Sequence, residues 1–121
     1  MTDPLYLDSK SAEADGLSAI DNSPTKVELI LLSETFKIFS DPNRLAIISA
    51  LHGQELCVQE LCEATDMNQS AVSHCMRLLR AHRIVRSRRD GRNIYYALDD
   101  HHVSLMLSMG LDHIRGDDCD E

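Results

Sequence analysis

One stretch constrains the fold more than any other: IVRSRRDGRNIYYAL, residues 84–98. Its central Asp90-Gly91 pair favours a two-residue type I′ turn, because both central residues of that turn take positive φ. The flanking Ile84, Val85, Ile94, Tyr95 and Tyr96 are β-branched or aromatic, as strands prefer. A hairpin with strands over residues 84–89 and 92–98 is therefore predicted. The patterns on either side of it are helical, so the chain reads as mainly α with one β-hairpin.

Upstream, apolar residues recur at Val27, Ile30, Leu31, Phe36 and Phe39, which predicts a helix over residues 26–40. Asp41 as N-cap, Pro42 at the first helical position and Gly53 as the stop bound a second helix. A short apolar pattern (Val58, Leu61, Cys62) breaks near residues 65–67, and a longer one (Val72, Met76, Leu78, Leu79) runs to His82. Short helix, tight turn and a second helix with polar N-terminal residues describe a helix-turn-helix. Gln69, Ser70, Ser73, His74 and Arg77 lie on its exposed side, where such side chains reach base edges in a major groove.

The formal net charge of -8 opposes phosphate binding, yet its distribution does not. Arg77, Arg80, Arg83, Arg86, Arg88, Arg89 and Arg92 supply more than half of the 12 basic residues, and Asp90 is the single acid among them. A hairpin carrying Arg88, Arg89 and Arg92 directly after a recognition helix reads as a wing lying along phosphates. Acids crowd the C-terminal quarter instead.

Residues 1–25 read as a mobile polar arm, 26–115 as one folded domain and 116–121 as an acidic tail. No basic segment followed by an apolar run opens the chain, and no apolar stretch approaches a membrane span, so a cytoplasmic protein without membrane contact is expected. Cys57, Cys62, Cys75 and Cys119 lack zinc-finger spacing and suggest thiols, ligands or packing rather than a disulfide framework.

The segment DDHHVSLMLSMGLDHI, residues 99–114, predicts a helix capped by Asp99 or Asp100. Eleven residues at roughly 100° each bring His113 to within about 20° of His102, yet about 16 Å along the axis. Two ligands of one ion lie within roughly 4 Å of each other. One chain therefore does not bring both histidines to one ion, whereas an antiparallel twin helix across a two-fold axis would place each beside the other's counterpart. The apolar residues Val103, Met106, Leu107, Leu111 and Ile114 also need a surface to bury against.

SDPNRLAIISALHGQELCVQELCEA, QSAVSHCMRLLRAHRIVRSRRDGRNIYYAL, and DDHHV followed by LDHI resemble the ArsR/SmtB family of metal-responsive winged-helix repressors over about residues 27–115. The resemblance implies a homodimer on an operator with an imperfect inverted repeat, released when a metal ion binds. The zinc-sensing branch has Asp-x-His near the start of the C-terminal helix, His eleven residues on and Glu or His three beyond. Asp100, His102 and His113 match; the fourth position is Gly116, with Asp117 the nearest replacement. Zinc is the first choice of effector, and other divalent transition metals accept similar ligands. His101 is a rival ligand, and Asp112 reads as an acceptor for an imidazole N–H.

The family's second sensory position uses Cys-Val-Cys with cysteines of the arm. Cys57 matches its first member, but Gln59 stands at the second, and the arm has no Cys or His. The alternative is the same repressor sensing thiol oxidation or a soft metal through Cys57 and Cys62. An enzyme is not expected, because no nucleophile motif appears and a ligand set split across a dimer seam leaves little room for substrate.

Overall fold

The computed structural model describes residues 22–116. The arm up to residue 21, and the tail with Asp117 and Cys119, lie outside the described residues. The chain divides into two units, one ending at Ser33 and one beginning at Glu34.

Helix α1 (Lys26–Phe39) straddles that division. It opens with a reciprocal cap: Glu28 N–H donates to Thr25 Oγ1 at 3.0 Å and Thr25 N–H to Glu28 Oε1 at 2.9 Å. In the first unit, Val27, Leu29, Ile30 and Leu32 of this helix are exposed.

The second unit holds the core. Helix α2 (Pro42–Ala50) begins as its sequence demands: Asp41 accepts from Arg44 N–H at 3.0 Å, and Pro42 needs no partner. The Arg44 guanidinium donates to the carbonyls of Ile38 and Lys37, satisfying the end of α1. The helix stops at Ala50, earlier than Gly53, which instead takes φ 76° in the turn that follows.

Strand β1 (Leu56–Cys57) is two residues long and leads directly into α3 (Val58–Thr65). Its length hides it in the sequence; only pairing across to the hairpin makes it a strand. Asp66, at φ 58°, turns the chain toward α4 (Gln69–Ala81), whose N-cap Asn68 accepts from Ala71 N–H at 2.8 Å. Helix α4 ends in a Schellman motif: Ile84 N–H donates to Leu79 O at 2.9 Å and Arg83 N–H to Arg80 O at 3.1 Å. The residue in the left-handed position is Arg83, φ 59°, where glycine is usual.

The hairpin forms one step later than expected. β2 (Val85–Asp90) pairs antiparallel with β3 (Asn93–Leu98), and Asp90 opposite Asn93 leaves Gly91 and Arg92 as the loop. Only Gly91 of these two has positive φ, 67°, so the turn is not type I′. The shifted register sets Arg88 opposite Tyr95 and Arg86 opposite Ala97. The sheet order is β1-β3-β2, with Leu56 opposite Tyr96 and Cys57 opposite Tyr95.

Helix α5 (His101–Arg115) closes the fold between N-cap Asp100 and C-cap Gly116 at φ 70°. Ile47, Ile48, Leu51, Leu61, Val72 and Leu79 are fully buried at the junction of α2, α3 and α4, with Val85, Leu98 and Val103 around them. The apolar side of α5 that the sequence assigns to a twin helix is divided: Val103 and Leu107 pack on this chain's own core, whereas Ile114 is exposed. Leu105 and Met109, which the sequence pattern does not place on that side, are exposed as well.

Candidate nucleic-acid interface and metal centre

On α4 the core takes Val72, Cys75, Met76 and Leu79. At roughly 100° per residue, Ser70 and His74 stand opposite that face, pointing away from the body. Gln69, Ser73, Arg77 and Arg80 flank them on the side toward the sheet. Ser73, Arg77 and Arg80, with Met76, Val58 and Tyr96, line a groove of about 480 Å³ between helix and hairpin. A neighbouring hollow brings Gln69 together with Cys57, Gln59 and Arg92. Residues of the recognition helix and of the wing thus line both hollows. The sequence marks Arg80 as part of the basic block but not as a contact; its i, i+4, i+7 relation to Ser73 and Arg77 is the signal that places it there.

The seven arginines are not equivalent. Among the described residues, Arg77, Arg80 and Arg92 have no hydrogen-bond or ion-pair partner, and all three are exposed. Arg89 donates weakly to Gly91 O at 3.4 Å, within the turn. Arg86 Nη1 donates to Leu98 O at 2.7 Å and Asp99 O at 3.0 Å, fastening β2 to the residues just before α5. Arg88 is engaged most fully. Its Nε donates to Glu55 Oε1 at 2.9 Å and Oε2 at 3.0 Å, its Nη2 lies 2.8 Å from Glu55 Oε1, and its guanidinium carbon sits 5.1 Å from the Tyr95 ring centroid. The Arg88 hydrogen bond holds the Glu55 carboxyl below its ordinary value, against a smaller desolvation.

At the start of α5, Asp100 Oδ1 accepts from His102 N–H at 3.0 Å and lies 3.5 Å from His102 Nδ1. Partial desolvation raises the Asp100 carboxyl, but the bonds from His102 side chain and backbone together outweigh it and leave the pKa lowered. The ionised carboxylate and the neighbouring imidazole, 49% and 72% exposed, suit a divalent cation as a two-ligand half-site. The His101 ring lies against His102, with centroids 4.4 Å apart. His113 is exposed near the far end of the same face. Among the described residues, no three His, Cys, Asp or Glu side chains gather in one chain as a metal site would require. Gly116 N–H donates to Asp112 O at 2.9 Å, so the fourth-ligand position is used as a helix stop.

Cys57 lies at the N-cap of α3 beside Gln69 and Arg92, while Cys62 lines a separate hollow with Val58, Gln59 and Gln69. Cys75 is buried, and burial raises its thiol pKa.

Residues 41–87 match the family described as bacterial regulatory protein, arsR family. A "Transcriptional repressor SmtB homolog" of Synechocystis is 46% identical over 87 residues, 72% of this chain and 66% of that protein. A "Cadmium resistance transcriptional regulatory protein CadC homolog" of Staphylococcus aureus is 34% identical over 69% of this chain and 70% of its own length. The chain belongs to the ArsR family. Structures agree with this ArsR-family assignment. The AntR antimony-specific transcriptional repressor superposes with a TM-score of 0.70 at 33% identity, covering 81% of this chain and 91% of that one. The homodimeric winged helix-turn-helix DNA-binding domain Mb0332 of Mycobacterium bovis gives 0.66 at 26% identity, covering 83% and 92%. This ArsR-family chain is accordingly a transcriptional regulator with a winged helix-turn-helix, not an enzyme. No described helix is long and apolar enough to cross a membrane.

Proposed function

We propose that the protein is a homodimeric repressor that occupies an inverted-repeat operator and is released by a divalent metal ion, zinc first, held between the C-terminal helices of its two subunits. The observation that carries this reading is the pairing of Asp100 with His102 at one end of α5 and His113 near the other, with exposed Leu105 and Met109 between them. Asp100 and His102 of one subunit and His113 of its partner would hold the ion, with Asp117 or water completing four ligands. An ion so held would cross-link the C-terminal helices of the two subunits. The names of the cadmium-resistance and antimony-specific relatives support a metal or metalloid signal.

In the metal-free dimer, recognition helices about 34 Å apart enter successive major grooves. Gln69, Ser70, Ser73 and His74 face base edges, while Arg77, Arg80, Arg89 and Arg92 face phosphates. Arg86, bonded to the carbonyls of Leu98 and Asp99, provides a short mechanical path from the Asp100 end of α5 to the wing. Because linkage is reciprocal, operator DNA must weaken metal binding by the factor that metal weakens operator binding. Isothermal titration of zinc into free and operator-bound protein tests it: unequal affinities are expected, and equal ones refute the release mechanism.

One observation favours a second signal. Cys57 lines the same hollow as Gln69 and Arg92, so oxidation or a soft metal at Cys57 would obstruct the interface directly, with Cys62 in the adjoining hollow. Replacing both by serine separates the readings: zinc release that persists in the variant assigns sensing to α5.

A further inference from the structure

Glu55 is an acid in the wrong place for a phosphate-binding surface. It precedes β1, and its carboxylate accepts from Nε and Nη2 of Arg88 on the opposite edge of the sheet, while Arg88 Nη1 lies 3.9 Å from Asp90 Oδ2. Strands β1 and β2 are not neighbours, since β3 lies between them. Arg88 therefore crosses over β3, with the Tyr95 ring beneath it, to reach a residue 33 positions away in sequence. Without this bridge, the hairpin is joined to the entry of the helix-turn-helix by a ladder of only two residue pairs, Leu56 with Tyr96 and Cys57 with Tyr95. A two-pair ladder is a hinge for a twisting ribbon, whereas a bidentate planar fork fixes both distance and orientation.

From this we infer that Glu55 is a positioning residue for DNA recognition: it holds Arg88 across Tyr95, sets the wing's angle to the recognition helix, and withdraws Arg88 from phosphate contact. The inference rests on the DNA-binding reading above. It reverses the naive expectation for both residues. By charge alone, removing Glu55 strengthens phosphate attraction and removing Arg88 costs one counterion's worth of it. By positioning, both losses weaken binding through the same geometric fault, and neither alters how many phosphates are contacted.

The test uses fluorescence anisotropy on a duplex selected by the wild-type full chain from a random-sequence pool, over a series of salt concentrations. E55Q is expected to bind about fivefold more weakly despite its lost negative charge, R88Q about equally weakly, and the double variant no worse than either single one. The salt slope of R88Q should equal that of wild type, whereas R92Q should lower it by about 1 per protomer. Both residues are surface-exposed, and thermal melts of each variant check that the fold is retained. Tighter binding by E55Q, a slope loss in R88Q matching that of R92Q, or additive single effects would each overturn the inference. If the wild-type chain selects no duplex at all, the DNA-binding reading falls, and this inference with it. That outcome is distinct from a wild type that binds while E55Q gains affinity.

Discussion

The arginines between positions 77 and 92 carry the same formal charge and have different work. Arg77, Arg80 and Arg92 present unpartnered guanidinium groups, and their loss should lower the salt dependence of operator binding by about 1 each per protomer, measured as the slope of log affinity against log salt. Glu55 permits a pH prediction. Its carboxyl is held below the ordinary 4.5 by Arg88, so the unfolded chain takes up its proton first as pH falls. The contribution of the pair is then complete above 4.5 and is lost as pH drops through the lower folded value. The Arg88 Nε proton should remain protected from exchange at pH 4.5 by NMR and lose protection only below it; E55Q should lack that protection throughout. At the proposed sensor, His102→Ala or His113→Ala should leave operator affinity within a few-fold of wild type while abolishing the effect of zinc on it.

At the scale of elements, local chemistry explains the boundaries. Asn68 caps α4, and Asn68→Ala should cost about 1 kcal/mol by urea unfolding. Arg83 occupies a left-handed position that completes a Schellman motif between buried Leu79 and Ile84. Arg83→Gly relieves that backbone conformation and should raise stability by less than about 1 kcal/mol, because glycine also loosens the unfolded chain. The cap Asp41, the helix-turn-helix break and the helical segments are legible in the amino-acid order, since each depends on residues a few positions apart. Strand β1 is not, because two residues become a strand only when Tyr95 and Tyr96 arrive opposite them. The turn is legible in kind but not in register. An Asp-Gly pair favours a type I′ loop locally, yet pairing of Val85 with Leu98 and closure by Asp99 N–H to Ile84 O move the loop to Gly91 and Arg92.

For the whole molecule, α5 faces two ways. Val103 and Leu107 belong to the core of one chain, while Leu105 and Met109 stay exposed beside His102 and His113. If the proposed dimer forms through this face, Met109→Glu should convert it to monomer in sedimentation experiments at micromolar concentration and lose operator binding with it, whereas Val103→Ala should chiefly lower the unfolding free energy, by about 1–3 kcal/mol.

Whatever depends on near neighbours along the chain is written in the amino-acid order: helical periodicity, caps, the hairpin's existence, the spacing of His102 and His113, and the concentration of charge on one segment. Which of those charges are available is a matter of long-range packing. Glu55 meets Arg88 across three strands, and Arg86 is consumed by the carbonyls of Leu98 and Asp99, while Arg80 is left open in the groove. The physical reason is that charge belongs to a side chain, but its hydrogen-bonding capacity is claimed by whatever the fold brings within about 3 Å.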